Sequence, residues 1–213
     1  MSIQKPNTNS NGLSEIQTFG LTDLSPKELG FHFHAEFEKQ EALWLSWPHK
    51  EESWPGKLHL IYNSYSEFIL QVAVHQKVCI NVAGETMKNF ALNCIQNSVY
   101  AQKISDLNTL LQNVKFYFNP TNDAWCRDHG PAFVVKGNEK AVVDWGYNAW
   151  GDKYPPYDLD DVIPTLIGKE LGLPVFHPNI IMEGGSVEFN GKGTLMTTTG
   201  CLLNEHRNPH LSQ

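Results

Sequence analysis

The sequence contains no apolar run that approaches the length of a bilayer span, and its N-terminus has no basic flank followed by an apolar stretch. A membrane-spanning chain and a secretory precursor are therefore not expected, and the cytoplasm is the expected location. Basic residues are in the minority: 16 Lys and Arg face 23 Asp and Glu, giving a formal net charge of -7. Nucleic acid and anionic lipid surfaces would repel such a chain, so neither is an expected partner, and the balance favours a cationic ligand. Cysteine is scarce as well. Cys79, Cys94, Cys126 and Cys201 form no C-x-x-C pair and no cluster with histidine at zinc-binding spacing, so the thiols are expected to be reduced.

What is present suits one domain: 213 residues with 41% hydrophobic content can bury a substantial core. Residues 1–30 read as a polar lead-in, partly disordered, because Asn7-Thr8-Asn9-Ser10-Asn11-Gly12 has nothing to bury. Residues 31–213 form the expected domain. His32 and His34 alternate with Phe31 and Phe33, which places both histidines on one side of a strand, too few ligands for a metal site. Cys79, between Val78 and Ile80, and Cys94, on the apolar side of a helical pattern, read as small core hydrophobes. Cys126 sits beside Arg127, a neighbour that could lower its pKa and expose a thiolate, although only His129 is at hand as a base.

Apolar residues recur at steps of three and four at Leu58, Ile61, Tyr65, Phe68, Ile69 and Val72, which predicts an amphipathic helix ending near Gln76. A strand follows at Lys77 to Val82. Gly84 turns the chain into a second helix carrying Met87, Phe90, Ala91, Cys94 and Ile95 on one side. Ile104, Leu107, Leu110 and Leu111 mark a third, and Val114 to Phe118 reads as the next strand. Later, Val162, Ile163, Leu166, Ile167 and Leu171 form one face of a helix that tolerates Pro164 in its first turn and stops at Gly172. The alternation predicts an α/β (α+β) fold with helices covering sheets.

The densest chemistry lies in Thr121-Asn122-Asp123-Ala124-Trp125-Cys126-Arg127-Asp128-His129-Gly130-Pro131. Trp125 offers a π face to a cation, and Asp123 and Asp128 offer planar oxygen pairs that match the fork of a guanidinium or amidine. An ion pair from Arg127 to an aspartate, with Trp125 in the core, is the structural alternative. A hairpin follows the run: Ala132 to Val135, a turn at Lys136-Gly137-Asn138, and Ala141 to Trp145. A second hairpin joins Ser186–Phe189 to Thr194–Thr198 through Asn190-Gly191-Lys192-Gly193. Each is entered by an acid and glycine, Asp128 with Gly130 and Glu183 with Gly184 and Gly185, which suggests a repeated unit whose equivalent ends converge on one site. On the second hairpin, period two puts Val187 and Phe189 on one face and Ser186, Glu188 and Asn190 on the other. That polar face is open either to substrate or simply to solvent.

Four motifs taken in order carry a resemblance. They are the Thr121–Pro131 run, Asp144-Trp145-Gly146-Tyr147-Asn148-Ala149-Trp150-Gly151, Glu183-Gly184-Gly185-Ser186, and Cys201-Leu202-Leu203-Asn204 with Arg207-Asn208-Pro209-His210-Leu211. Together with Glu36 to Pro48, which holds Trp44 and Trp47, they closely resemble the agmatine deiminase family, also called the Porphyromonas-type peptidylarginine deiminases. The resemblance spans roughly Phe33 to the C-terminus. It implies part of the five-bladed, pseudo-symmetric α/β propeller of guanidine-modifying enzymes, built from strand-strand-helix-strand units. It also implies hydrolysis of a guanidinium to a urea, with agmatine giving N-carbamoylputrescine in putrescine biosynthesis. A thiolate attacks the guanidinium carbon, ammonia leaves, and water hydrolyses the covalent thiouronium intermediate. No metal or organic cofactor is implied, and self-association is left open. By the family's pattern Asp128 grips the guanidinium nitrogens, Trp125 lines the pocket with Asp123, and Glu183 supports its wall.

Two departures from the pattern stand out. The family's nucleophilic cysteine lies in a Gly-rich motif near the end of a longer chain, and no cysteine here matches it. The expectation is that these 213 residues alone lack deiminase activity. Second, Glu188 and Asn190 occupy positions where a histidine and an aspartate are expected; Glu188 can shuttle protons in their place if burial lifts its pKa, and Asn190 lies on the same polar face. Peptidylarginine deimination and a non-catalytic guanidinium-binding module are the alternatives. The shape of the pocket mouth separates the first from agmatine hydrolysis, and binding without turnover identifies the second.

Overall fold

The computed structural model describes residues 18–19 and 24–212. Most of the polar lead-in lies outside the described residues; Thr18–Phe19 (β1) is a short strand and Leu24–Gly30 turns toward His32–Phe33 (β2).

The first half of the fold is a parallel sheet. Ala42–Ser46 (β3), Lys77–Asn81 (β4) and Val114–Tyr117 (β5) lie in that order, with β4 in the centre. The apolar run Val78-Cys79-Ile80 suits this central place, because a middle parallel strand is buried on both faces. Two helices cover the sheet, Leu58–Ala73 (α1) and Glu85–Gln96 (α2). Ile69, Leu70 and Ala73 of α1 and Ala91 and Ile95 of α2 meet Val78, Ile80 and Val82 in one core with Trp47. The third helix is shorter than its apolar pattern: Leu107–Leu111 (α3) begins at the Asp106 cap, whose carboxylate accepts from the Thr109 N–H at 3.0 Å, and Ile104 stays outside it.

The second half is a five-stranded sheet of order β1-β8-β7-β6-β2. After the single turn Cys126–His129 (α4), Ala132–Lys136 (β6) and Glu139–Val143 (β7) pair antiparallel. The hairpin is tighter than its sequence suggests: Lys136 pairs with Glu139, so Gly137 and Asn138 alone make the turn, with Gly137 at φ 57°. Trp145 lies beyond the strand. The turns Ala149–Asp152 (α5) and Asp158–Asp161 (α6) lead to the helix Ile163–Leu171 (α7). As expected from Gly172, α7 ends in a left-handed residue (φ 65°), and the Leu173 N–H closes on the Gly168 carbonyl at 2.8 Å. Val175–Phe176 (β8) then runs parallel to β7, so β6-β7-α7-β8 forms a strand-strand-helix-strand unit. Val187–Phe189 (β9) and Leu195–Thr197 (β10) form the second hairpin, and Thr199–Leu202 (α8) follows.

Two features of this layout position the site. The C-terminal ends of β3 and β4 carry the buried polar residues Ser46 and Asn81, joined by an Asn81-to-Ser46 hydrogen bond of 3.2 Å, with Asn119 after β5 bonding Asn81 at 3.2 Å. The chain then crosses from the first sheet to the second through Thr121–Gly130, at the strand ends where open α/β sheets place their ligands.

Candidate functional site

Two segments converge on the Thr121–Pro131 run, and a third braces them. The first is Glu183–Ser186, packed so closely on α4 that a side chain at Gly184 would lie 2.3 Å from the Arg127 carbonyl, and one at Gly185 would lie 2.3 Å from Asp128 Oδ1. The bare Gly185 N–H instead donates to Asp128 Oδ1 at 3.0 Å. The second is Asp144–Asp152. Gly146 pairs with Ile181 beyond the end of β7 and β8, which carries Tyr147 and Trp150 toward α4. The third is Asn204–Asn208: Asn208 is fully buried and holds Ile181 through both its N–H and its carbonyl at 2.8 Å, while Asn148 Nδ2 donates to the His206 carbonyl at 2.8 Å.

The residues brought together are acidic and aromatic. Trp125, 38% exposed, stacks on Trp54 with ring centroids 5.6 Å apart and meets Trp150 edge-on at 6.0 Å. Trp150 in turn meets Tyr147 at 5.8 Å. The backbone that presents it is unusual: Ala149, Trp150, Gly151 and Asp152 all have positive φ, a left-handed turn that L-residues resist. It is held by Asn148 Oδ1, which accepts from the Gly151 N–H at 2.9 Å. Tyr147 is buried beside four acids, Asp160, Asp128, Asp123 and Glu183; burial and then these charges raise its pKa.

The acids differ in how they are matched. Glu183 is buried and receives the Arg207 Nε–H at 2.7 Å, with Arg207 itself nearly buried, so this carboxylate is already neutralised by a cation. Asp123 is buried and takes hydrogen bonds from Ser53 and from the Ala124 N–H (2.7 Å), with Lys50 Nζ at 3.8 Å. Asp128 is half-buried. Burial raises its pKa, the Gly185 N–H acts against this, and the Glu183 charge adds to it. Its neighbour Arg127 turns outward to Glu36 at 2.6 Å, so the ion pair from Arg127 to an aspartate is not what the structure forms. The Arg127 charge and the Trp150 N–H also act against the rise, so Asp128 is met by neutral N–H donors from Gly185 and Trp150 beside an exposed indole, and among the described residues no side-chain cation is in hydrogen-bonding contact with it.

The other sequence candidates are placed differently. Cys126 is buried, and burial pushes its thiol up to about 12, against a hydrogen bond with Ser46 that lowers it, while the Arg127 guanidinium is turned away to Glu36; a thiolate there is not exposed. Glu188 lies exposed on β9, not in the buried setting that a proton-transfer role presupposes. Asn190 uses its side-chain oxygen on the N–H groups of Lys192 (2.9 Å) and Thr194 (3.1 Å), within its own turn. His32 and His34 do share a side, with rings stacked at 4.9 Å. Trp54, Tyr147, Trp150, Asp160 and Arg207 had no assigned roles in the sequence reading. The aromatic density of Asp144–Gly151 was the signal for two of them. Among the described residues no three His, Cys, Asp or Glu side chains are placed to hold a metal ion, and no helix is long and apolar enough to cross a membrane.

Residues 32–213 match the family model for Porphyromonas-type peptidyl-arginine deiminase. A curated relative from Legionella pneumophila (strain Paris) is 35% identical over 196 residues, which cover 90% of this chain and 51% of that protein. The solved agmatine deiminase of Enterococcus faecalis superposes with a TM-score of 0.76 at 30% identity, covering 91% of this chain and 50% of that one. An agmatine deiminase of C. jejuni with substrate bound gives 0.71 at 32% identity, covering 86% and 50%. The chain therefore spans about half the length of the relatives it matches. Matched by the family model over residues 32–213, well beyond half of its length, the chain belongs to the Porphyromonas-type peptidyl-arginine deiminase family.

Proposed function

We propose that the cluster around Asp128 and Trp125 binds a guanidinium group. In the whole protein it would serve hydrolysis of agmatine to N-carbamoylputrescine and ammonia. The observation that carries this reading is Asp128: a half-buried carboxylate held in place by the Gly185 N–H, next to an exposed tryptophan face, with the adjacent arginine drawn away by Glu36. A guanidinium would bring charged, parallel N–H donors to an acid whose present donors, the Gly185 and Trp150 N–H groups, are neutral, and its flat face suits the indole of Trp125. Asp123 adds negative field at the rear, and Glu183, matched by Arg207, braces the wall.

The chemistry then needs a thiolate to attack the guanidinium carbon, a proton for the departing ammonia, and a water to hydrolyse the thiouronium. Cys126 does not suit the first step, since its thiol is buried and its ionised form disfavoured. The nucleophile is assigned to a part of the polypeptide outside these residues, and this chain alone is expected to bind without turnover. Within a complete five-bladed ring, β6-β7-α7-β8 would be one blade, and β9 and β10 would open another. Trp54, Trp125 and Trp150 pack into one aromatic wall, with Trp150 also donating to Asp128, and this wall is the feature that supports a free guanidinium amine such as agmatine over a peptide-linked arginine.

Calorimetry on the chain tests the reading. Agmatine should bind the wild type, Asp128→Ala should remove the binding, and a peptide carrying an internal arginine should bind more weakly. Undiminished agmatine affinity in Asp128→Ala would overturn the assignment.

A further inference from the structure

The short turn α6 contributes to this site without belonging to any conspicuous motif. Asp160 is 2% exposed, and its Oδ1 accepts from the backbone N–H groups of Asn122 at 2.8 Å and Asp123 at 3.3 Å. Asn122 answers in kind: its side-chain oxygen accepts from the N–H groups of Leu159 at 2.7 Å and Asp160 at 3.2 Å. Those donors open the α6 turn and lack intrahelical partners. The remaining Asn122 amide reaches Asp158 Oδ1 at 3.4 Å. The backbone immediately before Trp125 is thereby fixed to α6 from both sides. At the far end of the run, His129 Nδ1 lies 3.6 Å from the same Asp160 oxygen, too long for a hydrogen bond.

We propose that Asp160 is a positioning residue for the guanidinium pocket: locked reciprocally with Asn122, its carboxylate sets the placement of the Trp125–Asp128 turn. The proposal rests on the guanidinium reading above. A carboxylate can hold two N–H donors on one oxygen more strongly than an amide can, because the bonds are charge-assisted. It also adds a negative charge near Tyr147, behind the point where a cation would sit. Burial raises the Asp160 pKa to about 6. The groups facing it are His129, kept neutral by burial with its pKa near 4, together with Asp123, His49 and Tyr147. A bound guanidinium favours the ionised form of Asp160, so affinity should fall as pH is lowered through about 6.

Two measurements on the chain test this. Without ligand, the Asn122 and Asp123 amide signals of the 15N-labelled protein should titrate with a midpoint near 6, and that midpoint should vanish in Asp160→Asn. With agmatine, calorimetry should show Asp160→Asn binding roughly tenfold more weakly and without the pH step. A purely structural role would lower thermal stability and leave the pH step in place, which overturns the proposal, as does an unchanged midpoint in the variant. If Asp160→Asn does not fold, Asn122→Ala reads the coupling from the other side, and an unmoved Asp160 midpoint overturns it equally. If the wild type fails to bind agmatine, the guanidinium reading falls, and the amide titration alone still decides whether Asp160 holds the loop.

Discussion

Replacing Arg207 with alanine should be among the most damaging single changes in the chain. Its Nε donates to Glu183 Oε1 at 2.7 Å, with side-chain exposures of 8% and 2%. Such a pair is held against the hydration both ions have lost. Removing one member leaves the other buried and unmatched, a loss of about 3 to 5 kcal/mol. Domains of this kind are stable by only about 5 to 15 kcal/mol, so the variant would retain a small margin or none. At this chain length each kcal/mol moves the melting temperature by about 2 to 4 °C, so a fall on the order of 10 °C is expected. Urea unfolding followed by tryptophan fluorescence gives the free energy, and a thermal melt gives the shift. The double variant Arg207→Met with Glu183→Gln should recover much of the loss, because no charge is then left uncompensated. If Arg207→Ala costs under about 1 kcal/mol, water must reach Glu183, and the rigid wall inferred here does not exist.

Gly185→Ala should disrupt the site more than the fold, because its Cβ would fall 2.3 Å from Asp128 Oδ1. A stability loss of about 1 to 3 kcal/mol with agmatine binding abolished in calorimetry is expected, and retained affinity would show that Asp128 is free to move. Cys126 should resist alkylation in the folded protein and react on unfolding, as mapped by mass spectrometry of its peptide, and rapid native labelling would refute its burial. The acid limb of stability carries two opposed contributions. His129 has its folded pKa lowered to about 4 from 6.5, so its contribution is present above 6.5 and lost as pH falls toward 4. Asp160 has its folded pKa raised to about 6 from 3.8, so its contribution is present below 3.8 and lost as pH rises toward 6. Urea unfolding at stepped pH should therefore show a steeper rise in stability with pH in Asp160→Asn than in the wild type. An unchanged slope would mean that Asp160 does not titrate in this range.

Where a pattern is local, the chain could be read directly. The three-and-four spacing from Leu58 produces α1, and the run Val78 to Ile80 produces the central strand, since each records the face that must be buried. Flanking glycines pair Glu183 with Asp128 in the sequence, and the structure shows what those glycines permit: a contact too close for any side chain. Asp160 was invisible in the same sense. One aspartate in Asp158-Leu159-Asp160-Asp161 looks like the next until the fold buries it against the N–H groups of Asn122 and Asp123.

Sequence alone determined the α/β alternation, the family, and the chemical character of the Thr121–Pro131 run, because helix period, strand period and motif order are written in neighbouring residues. Only the tertiary structure decided which charges are free. Arg127 stands beside Asp128 in the chain yet pairs with Glu36, and Arg207, 24 residues from Glu183, is the cation that neutralises it. Cys126 lies next to a guanidinium but has its thiol suppressed by burial. Solvation and long-range packing set these outcomes, and neither is a property of adjacent residues.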